Sequence, residues 1–291
     1  MNRLLIIGAG DVALRTIPLL HNFFKLYALI RNPAYRERLR GLNVTPVLGD
    51  LDDRASLLRI AGLADAVLHF APPPVQGTGD PRTRNLLAAL SRGTLPKRLV
   101  YISTSGVYGD CDGEFIDETH RLNPQTPRAQ RRVVAEQLIR DWAKRHSVNA
   151  SILRVPGIYA ADRFPLDRLQ AGSPAIVANE DSYTNHIHAN DLAHIALAAL
   201  HHGRPNRVYH AVDGDEMKMG DYFDAIADAF GLKYPPRLPR EQVRQAVSPM
   251  MWSFMNESRR LSNQRLQKEL RVRLRYPQLA DALADINGMS C

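Results

Sequence analysis

The sequence of 291 residues has little cysteine and no long apolar run. Its two cysteines, Cys111 and Cys291, argue against a disulfide framework, and no spacing typical of metal ligands is present. No apolar stretch approaches the ~20 residues that span a bilayer. The apolar run at residues 4–7 is too short for a signal peptide and ends at a glycine. These absences predict a soluble, cytoplasmic protein without a metal site or a membrane partner.

Lysine is also scarce: the sequence has 38 basic residues, of which only six are lysine, against 30 acidic residues. A formal net charge of +8 is compatible with a nucleic acid, a membrane surface or an anionic small molecule as partner. The densest basic segments, 128–140 and 259–275, mix acidic and apolar residues at helical spacing. Such mixing is typical of solvated helix faces, and it argues against a nucleic-acid partner.

Short apolar runs alternate with amphipathic stretches over the first 160 residues. The strands are expected at residues 3–7, 26–30, 44–48, 66–70, 98–103 and 150–155. Helices are expected at residues 12–23, 54–60, 82–90, 128–146, 191–201, 220–230, 240–254 and 262–270. The alternation predicts an α/β fold with a doubly wound parallel sheet over residues 1–160. A smaller, mostly helical lobe over residues 161–291 is expected to bind the substrate and to be interleaved with the sheet.

A glycine turn with the spacing Gly-x-Gly-x-x-Ala joins the first expected strand to the first helix. Gly8 permits the tight turn, Gly10 lets the backbone approach a pyrophosphate, and Ala13 lets the helix pack closely on the strand. The amides of Asp11 and Val12 begin the helix, where backbone N–H groups attract an anion. We interpret the turn as a dinucleotide-binding site; a tight turn without a ligand is the alternative.

The residues that follow the next three strands indicate which dinucleotide is bound. Arg31 ends the second strand, where an NAD site usually has Asp or Glu. A guanidinium suits a 2′-phosphate, so the sequence favours NADP over NAD; an Arg31 that points to solvent is the alternative. Asp50 follows the third strand and is expected to meet the adenine amino group. Ala71 and Pro72 begin a stiff loop at the carboxyl end of the fourth strand, the edge where open α/β sheets bind ligands.

Three segments resemble the extended short-chain dehydrogenase/reductases, the family of NAD(P)-dependent epimerases, dehydratases and their relatives. They are YISTSGVYGD at 101–110, LRVPGIY at 153–159 and IHANDLA at 187–193. The resemblance covers nearly the whole chain and implies a Rossmann-type sheet. It also implies that Thr104 orients a substrate oxygen and that Arg154 and His188 belong to the substrate site.

The family's Tyr-x-x-x-Lys pair, which does the proton chemistry on the long helix, is absent. None of the ten tyrosines has a lysine four residues later. The resemblance puts Arg128 at the tyrosine position and Arg132 at the lysine position, as in the atypical branch of the superfamily. Arginine stays protonated near neutral pH and is no general acid. We expect Arg128 to hold an anionic substrate or an oxyanion and Arg132 to contact the nicotinamide ribose.

A proton donor must then come from elsewhere, and Tyr108, His69 and His188 are the candidates. Each has a structural alternative: a packed aromatic ring, a buried histidine with its partners, and a helix cap, respectively. We expect an NADP-linked oxidoreductase or epimerase that acts on a small and anionic substrate, with Thr104, Tyr108 and Arg128 as catalytic residues. The alternative is a non-catalytic NAD(P)-binding regulator or redox sensor. The helices at 82–90 and 128–146 are expected to form a homodimer.

Overall fold

The structure, a computed structural model, describes residues 2–288. Its strands are β1 (Asn2–Ile7), β2 (Phe24–Ile30), β3 (Val44–Leu48), β4 (Ala66–His69), β5 (Arg98–Thr104), β6 (Phe115–Ile116), β7 (Asn149–Val155), β8 (Gly157–Tyr159), β9 (Ala175–Ile176), β10 (His186–His188), β11 (Arg207–His210), β12 (Arg237–Leu238) and β13 (Arg260–Leu261). Its α-helices are α1 (Asp11–Leu20), α2 (Arg36–Gly41), α3 (Pro81–Leu90), α4 (Pro127–His146), α5 (Leu166–Gln170), α6 (Ala189–His202), α7 (Met219–Ala229), α8 (Arg240–Ala246), α9 (Pro249–Met255), α10 (Gln264–Leu270) and α11 (Leu279–Gly288). Short 3₁₀ helices cover Pro33–Tyr35, Arg54–Ile60 and Ser105–Tyr108.

Seven parallel strands form the central sheet in the order β11-β7-β5-β4-β1-β2-β3. The chain winds outward from β1 to β3 and then returns to the other side of β1 with β4. This reversal creates a crevice at the carboxyl ends of β1 and β4, where doubly wound folds bind ligands. The expected doubly wound α/β sheet is confirmed. Its last strand, β11, lies beyond residue 160, so both predicted segments contribute to one sheet.

The sheet is covered on both faces, and β1 shows why its sequence is apolar without alternation. Leu4 and Ile6 pack in the core that includes Ile17 of α1. Leu5 and Ile7 point to the opposite face and pack in the core that includes Ile139 of α4. All four β1 side chains are fully buried, because successive side chains of a strand point to opposite faces.

The C-terminal lobe has its own core, in which residues of α7, α8 and α9 pack together. The prediction of a single helix at residues 240–254 is wrong, since the structure has two helices there, α8 and α9. The Ser248 hydroxyl accepts a hydrogen bond from the Met251 amide at 3.2 Å, and Pro249 occupies the first turn of α9. This cap and proline start a new helix, which the apolar spacing alone did not reveal.

Two further sequence-based expectations concern bound metals and membranes. Within residues 2–288, no helix is both long and apolar enough to cross a bilayer. The same residues contain no group of three His, Cys, Asp or Glu side chains placed to hold a metal ion. Cys111 is buried and free, whereas Cys291 lies outside the described residues.

Candidate functional site

The glycine turn between β1 and α1 is shaped by the loop after β4. Gly8 has a φ of +93°, and a Cβ there would lie 2.6 Å from the Ala71 amide nitrogen. A side chain at this position would therefore collide with backbone. At Gly10, by contrast, a Cβ would meet nothing within 4 Å. No side chain caps the first turn of α1, so its amides are left without a capping partner and can receive an anion.

A cleft of about 600 Å³ opens beside this turn at the carboxyl edge of the sheet. Its lining includes Gly8, Arg31, Asp50, Ala71 and Pro72, which the sequence predicted as cofactor-binding residues. Four loops that follow different strands supply these residues, and the parallel sheet brings them to one edge. The cleft and the glycine turn together fit the adenosine and phosphate portions of a dinucleotide.

Arg82, at the start of α3, also lines this cleft and was missed in the sequence. Its guanidinium donates to both carboxylate oxygens of Asp52, at 2.8 Å and 2.6 Å. Hydrogen bonds from Arg82, and then the charge of Arg31, lower the pKa of Asp52. Two guanidinium groups therefore act on one carboxylate at this rim, where Asp50 also lies close to Arg82. No sequence pattern identified Arg82, because it reaches the cleft from the start of α3, which is distant in sequence from the glycine turn.

The other residues predicted around the turn contribute through their backbone or by packing. The Asp11 carboxylate accepts hydrogen bonds from Arg15 at 3.0 Å and from Arg163 at 2.9 Å. Ala13 is buried in the core between α1 and the sheet. Val12 is half-buried and packs against that core, so the backbone amides of this turn, not its side chains, are available to a ligand.

Thr104 and Arg128 lie at the other end of the sheet edge. The half-buried Thr104 hydroxyl accepts a hydrogen bond from the Gly106 amide at 3.3 Å. Arg128 is exposed in the first turn of α4, and its guanidinium carbon lies 4.2 Å from the centre of the Phe254 ring. This contact brings the C-terminal lobe against the start of α4.

Arg132 lies one turn further along α4 and points at β5. It donates to the Ile102 carbonyl at 2.6 Å and to the Tyr101 hydroxyl at 2.9 Å. Its guanidinium is thereby fixed close to the carboxyl end of β5. The predicted contact to a nicotinamide ribose would have to be made from this position.

Tyr108 and Arg154, predicted as catalytic and substrate-binding, lie in a buried polar network. The Tyr108 hydroxyl lies 2.6 Å from His210 Nε2 and accepts from an Arg154 guanidinium nitrogen at 2.6 Å. Burial raises the pKa of Tyr108 to about 12. Arg154 also donates to both Glu136 carboxylate oxygens, at 3.1 Å and 2.7 Å. The polar ends of these side chains thus bind one another, and none of them lines the dinucleotide cleft.

The two candidate histidines also have structural partners. His69 is buried, with Nε2 3.0 Å from the Thr83 hydroxyl. Burial, and then the charge of Arg132, lowers its pKa to about 3, so the ring is neutral at pH 7 and is not the imidazolium that a general acid needs. His188 Nδ1 accepts a hydrogen bond from the Asn190 amide at 3.2 Å and caps α6. It lies in a separate pocket with Tyr276, away from Arg154.

A sequence model described as the NAD dependent epimerase/dehydratase family matches residues 19–211. The match begins after the glycine turn. Curated relatives include a dTDP-glucose 4,6-dehydratase from Mycolicibacterium smegmatis, 31% identical over 120 residues, with 36% of each chain covered. Another dTDP-glucose 4,6-dehydratase, from Mycobacterium tuberculosis, is 27% identical over 185 residues, covering 56% of this chain and 55% of the relative. The chain thus matches from about a third to just over half the length of these relatives.

Solved structures align over nearly the whole chain. A conserved protein of unknown function from Silicibacter pomeroyi superposes with a TM-score of 0.81 and 28% identity over 99% of both chains. DesIV, a dTDP-glucose 4,6-dehydratase from Streptomyces venezuelae solved with NAD bound, gives a TM-score of 0.79 and 21% identity over 97% of this chain and 95% of DesIV. At that identity DesIV supports the fold alone. From its sheet, its cleft and the family match, the chain belongs to the NAD-dependent epimerase/dehydratase family.

Proposed function

We propose that the protein is an NADP-linked oxidoreductase or epimerase that acts on a small anionic molecule with rearranged acid–base residues. One observation carries the proposal: the cleft lined by the loops after β1 to β4 lies at the same sheet edge as Thr104, the last residue of β5. Membership in the family supports NAD(P) binding. The choice of NADP is a finer proposal, based on the two guanidinium groups at the rim of the cleft.

The cofactor half of the site would hold NADP through groups that are already in place. The amides of Asp11, Val12 and Ala13 would bind the pyrophosphate, and Asp50 would accept a hydrogen bond from the adenine amino group. Arg31 would bind the 2′-phosphate, and Arg82 could exchange its Asp52 partner for the same phosphate. The bound nicotinamide supplies hydride acceptance and donation.

The substrate half would lie between β5, α4 and the C-terminal lobe. Thr104 would donate a hydrogen bond to the substrate oxygen, and Arg128 would neutralise a negative group on the substrate. Curated relatives are named as dehydratases and epimerases of dTDP-glucose and UDP-glucose, which are anionic sugar nucleotides. A substrate with a phosphate or carboxylate group would match this positive end of the cleft.

A non-catalytic NAD(P)-binding regulator is the second candidate, and one observation favours it. Arg132, at the position of the family's lysine, is hydrogen-bonded to β5, and no Tyr-x-x-x-Lys pair exists in the sequence. A regulator would bind the dinucleotide without turning over a substrate, and would instead change its affinity for a partner.

Turnover separates the two candidates. The purified full chain is incubated with NADPH and a panel of ketone, aldehyde and keto-sugar nucleotide substrates, and NADPH absorbance is followed. The proposal predicts oxidation of NADPH with at least one anionic carbonyl compound. Tight NADPH binding with no turnover across the panel would instead favour the regulator.

The cytoplasmic location and the homodimer through residues 82–90 and 128–146 stay proposals. In the described structure the start of the second helix is partly covered, since Phe254 packs on Arg128. A two-fold interface would then have to use the later turns of that helix. Light scattering at micromolar protein concentration tests this: twice the mass of the 32.6 kDa chain is expected, and a monomer mass contradicts it.

A further inference from the structure

A catalytic acid or base is missing from the residues that the family resemblance points to. Tyr108 is buried in a polar network, His69 is buried and neutral at pH 7, and His188 caps a helix. We propose that Glu257, in the C-terminal lobe, exchanges the proton with the substrate oxygen that Thr104 orients. This inference rests on the proposed function, because it assigns a role in the same reaction.

Glu257 reaches the Thr104 end of the sheet from the segment after α9. A Cβ built on Gly106 would lie 3.7 Å from Thr104 Oγ1 and 3.8 Å from Glu257 Oε2. The hydroxyl and the carboxylate therefore lie on the same side of the 3₁₀ turn that follows β5. A threonine hydroxyl and a carboxylate on the same side of one turn are the groups needed to orient an oxygen and to move its proton.

The carboxylate of Glu257 is held in place by its neighbours. Arg259 donates to Glu257 Oε2 at 2.8 Å and to the Gly109 carbonyl at 2.6 Å. Between them, the Ser258 amide donates to the Asp110 carboxylate at 2.8 Å. Hydrogen bonds from two successive residues, Ser258 and Arg259, thus hold this segment against the loop after β5. They orient the Glu257 side chain before any substrate binds.

One oxygen of the carboxylate is left for a ligand. Within residues 2–288, Glu257 Oε1 has no hydrogen-bond partner, and it is not among the solvent-inaccessible unpartnered atoms. Glu257 itself is 8% exposed, so this access is narrow. A carboxylate with one oxygen anchored and the other open is suited to accept a proton from a bound hydroxyl.

Charged groups from several elements face this carboxylate. Arg259 lies on its own segment, Arg128 on α4, and Asp110 and Cys111 on the loop after β5. Partial burial lowers the pKa of Arg128, and the charge of Glu257 opposes that effect. The two arginines beside this carboxylate, Arg128 and Arg259, would bind the anionic part of a substrate.

The proton step balances with the cofactor that the proposed function names. In the oxidation direction, the hydroxyl proton of the substrate would pass to the Glu257 carboxylate. The bound dinucleotide would accept the hydride as the substrate's carbon–hydrogen bond breaks, which leaves a carbon–oxygen double bond. In the reverse direction the protonated Glu257 returns the proton to the oxygen as the carbonyl is reduced.

The first test needs no substrate. Oxidised nicotinamide carries a positive charge that the reduced ring lacks, so a nearby carboxylate favours NADP⁺. We expect Glu257→Gln to weaken NADP⁺ relative to NADPH by about threefold or more, as measured by calorimetric titration of both forms with the full chain. Glu114→Gln, which removes the same charge at an exposed position, should leave the ratio unchanged. An unchanged ratio in Glu257→Gln would overturn the placement of this carboxylate at the reacting end.

The second test uses whichever carbonyl compound the wild-type protein reduces. Glu257→Gln should lower kcat about 100-fold or more with little change in KM, and Glu257→Asp should recover part of the loss. The limb of the pH profile that requires the carboxyl group should disappear in Glu257→Gln. Wild-type turnover with an unaffected Glu257→Gln overturns this inference alone. Absence of wild-type turnover overturns the enzymatic function, and the role of Glu257 with it.

Discussion

The glycine-turn end and the β5 end of this sheet edge differ in how their polar groups are used. At the adenosine end, Gly10 faces open space and Arg31 is exposed, so the site is ready for a ligand. Towards the β5 end, Tyr108 and Arg154 bind each other and further buried partners. At the β5 end, residues of the family motif therefore make buried contacts within the protein. The comparison teaches that motif spacing located residues lining an open cleft at the first end and residues of a buried polar network at the second.

The largest effect should come from the buried ion pair at the β5 end. Arg154→Met leaves the Glu136 carboxylate without its partner at a position that is 3% exposed. Loss of one member of a buried pair costs about 3–5 kcal/mol, and urea unfolding would measure that decrease. Arg163→Met, which removes the exposed pair with Asp11, should cost at most about 1 kcal/mol. Equal costs for the two variants would show that the Arg154 network is not structural.

The next effect concerns Thr104, the last residue of β5. Thr104→Val removes the hydroxyl that is proposed to orient the substrate oxygen, and kcat should fall about 10²–10³-fold with NADP affinity nearly intact. Thr104→Ser keeps the hydroxyl and should retain most of the activity. If Thr104→Val leaves an established activity unchanged, the hydroxyl has no role in turnover.

Substitutions of the two glycines of the turn should have different effects, one on dinucleotide binding and the other on the stability of the fold. Gly10→Val places a side chain in the open space above α1 and should weaken NADP binding at least about tenfold, or 1.4 kcal/mol, without unfolding the protein. Gly8→Val should instead lower the melting temperature, because its side chain meets the Ala71 backbone. Titration of folded Gly10→Val with NADP and NAD checks this, and wild-type affinity for both would remove the turn from the site.

The smallest effect is expected from Asp213, a buried carboxyl group that lies outside both of these ends. Asp213 is 2% exposed, and burial raises its pKa well above the usual value. The folded state therefore binds its proton more tightly than the unfolded state, and stability falls as pH rises from about 4 towards the folded pKa. Asp213→Asn should reduce this loss, so that its melting temperature changes less than wild type between pH 5 and pH 8. Parallel pH dependence in both proteins would contradict the assignment.

Most of the fold and the adenosine end could be predicted from sequence because local rules determine them. The apolar strands, the turn at Gly8 and Gly10, and Arg31 after β2 are all readable within short segments. Strand β11 was missed because its sequence, RVYH, lacks the apolar run that identified the equally short β4, AVLH. Arg82 and Glu257 were missed for another reason: each reaches the site from a segment far away in sequence. Only the packing of α3 and of the C-terminal lobe reveals them.

The same distinction applies to the arginines of α4. The resemblance correctly placed them on the long helix, but it could not show that Arg132 would bind the Ile102 carbonyl. Side-chain direction depends on neighbours across the sheet edge. A family motif therefore predicts where a residue lies more reliably than which atoms it contacts.

The rim of the cleft tests the choice of dinucleotide. Arg31→Asp replaces a charge-assisted contact with repulsion and should reverse the preference from NADP to NAD. Arg38→Asp makes the same charge change on an exposed helix position outside the cleft, and the preference should stay with NADP. Loss of preference in both variants would indicate a general charge effect rather than a specific contact.

The central claim is that the cleft is an NADP site, and titration of the unmodified full chain tests it most directly. NADPH and NADH are added separately under identical salt, and the dissociation constants are compared by fluorescence. The account predicts that NADPH binds at least about tenfold more tightly, since its 2′-phosphate meets the guanidinium rim. Equal or tighter binding of NADH, or no binding of either, would contradict it.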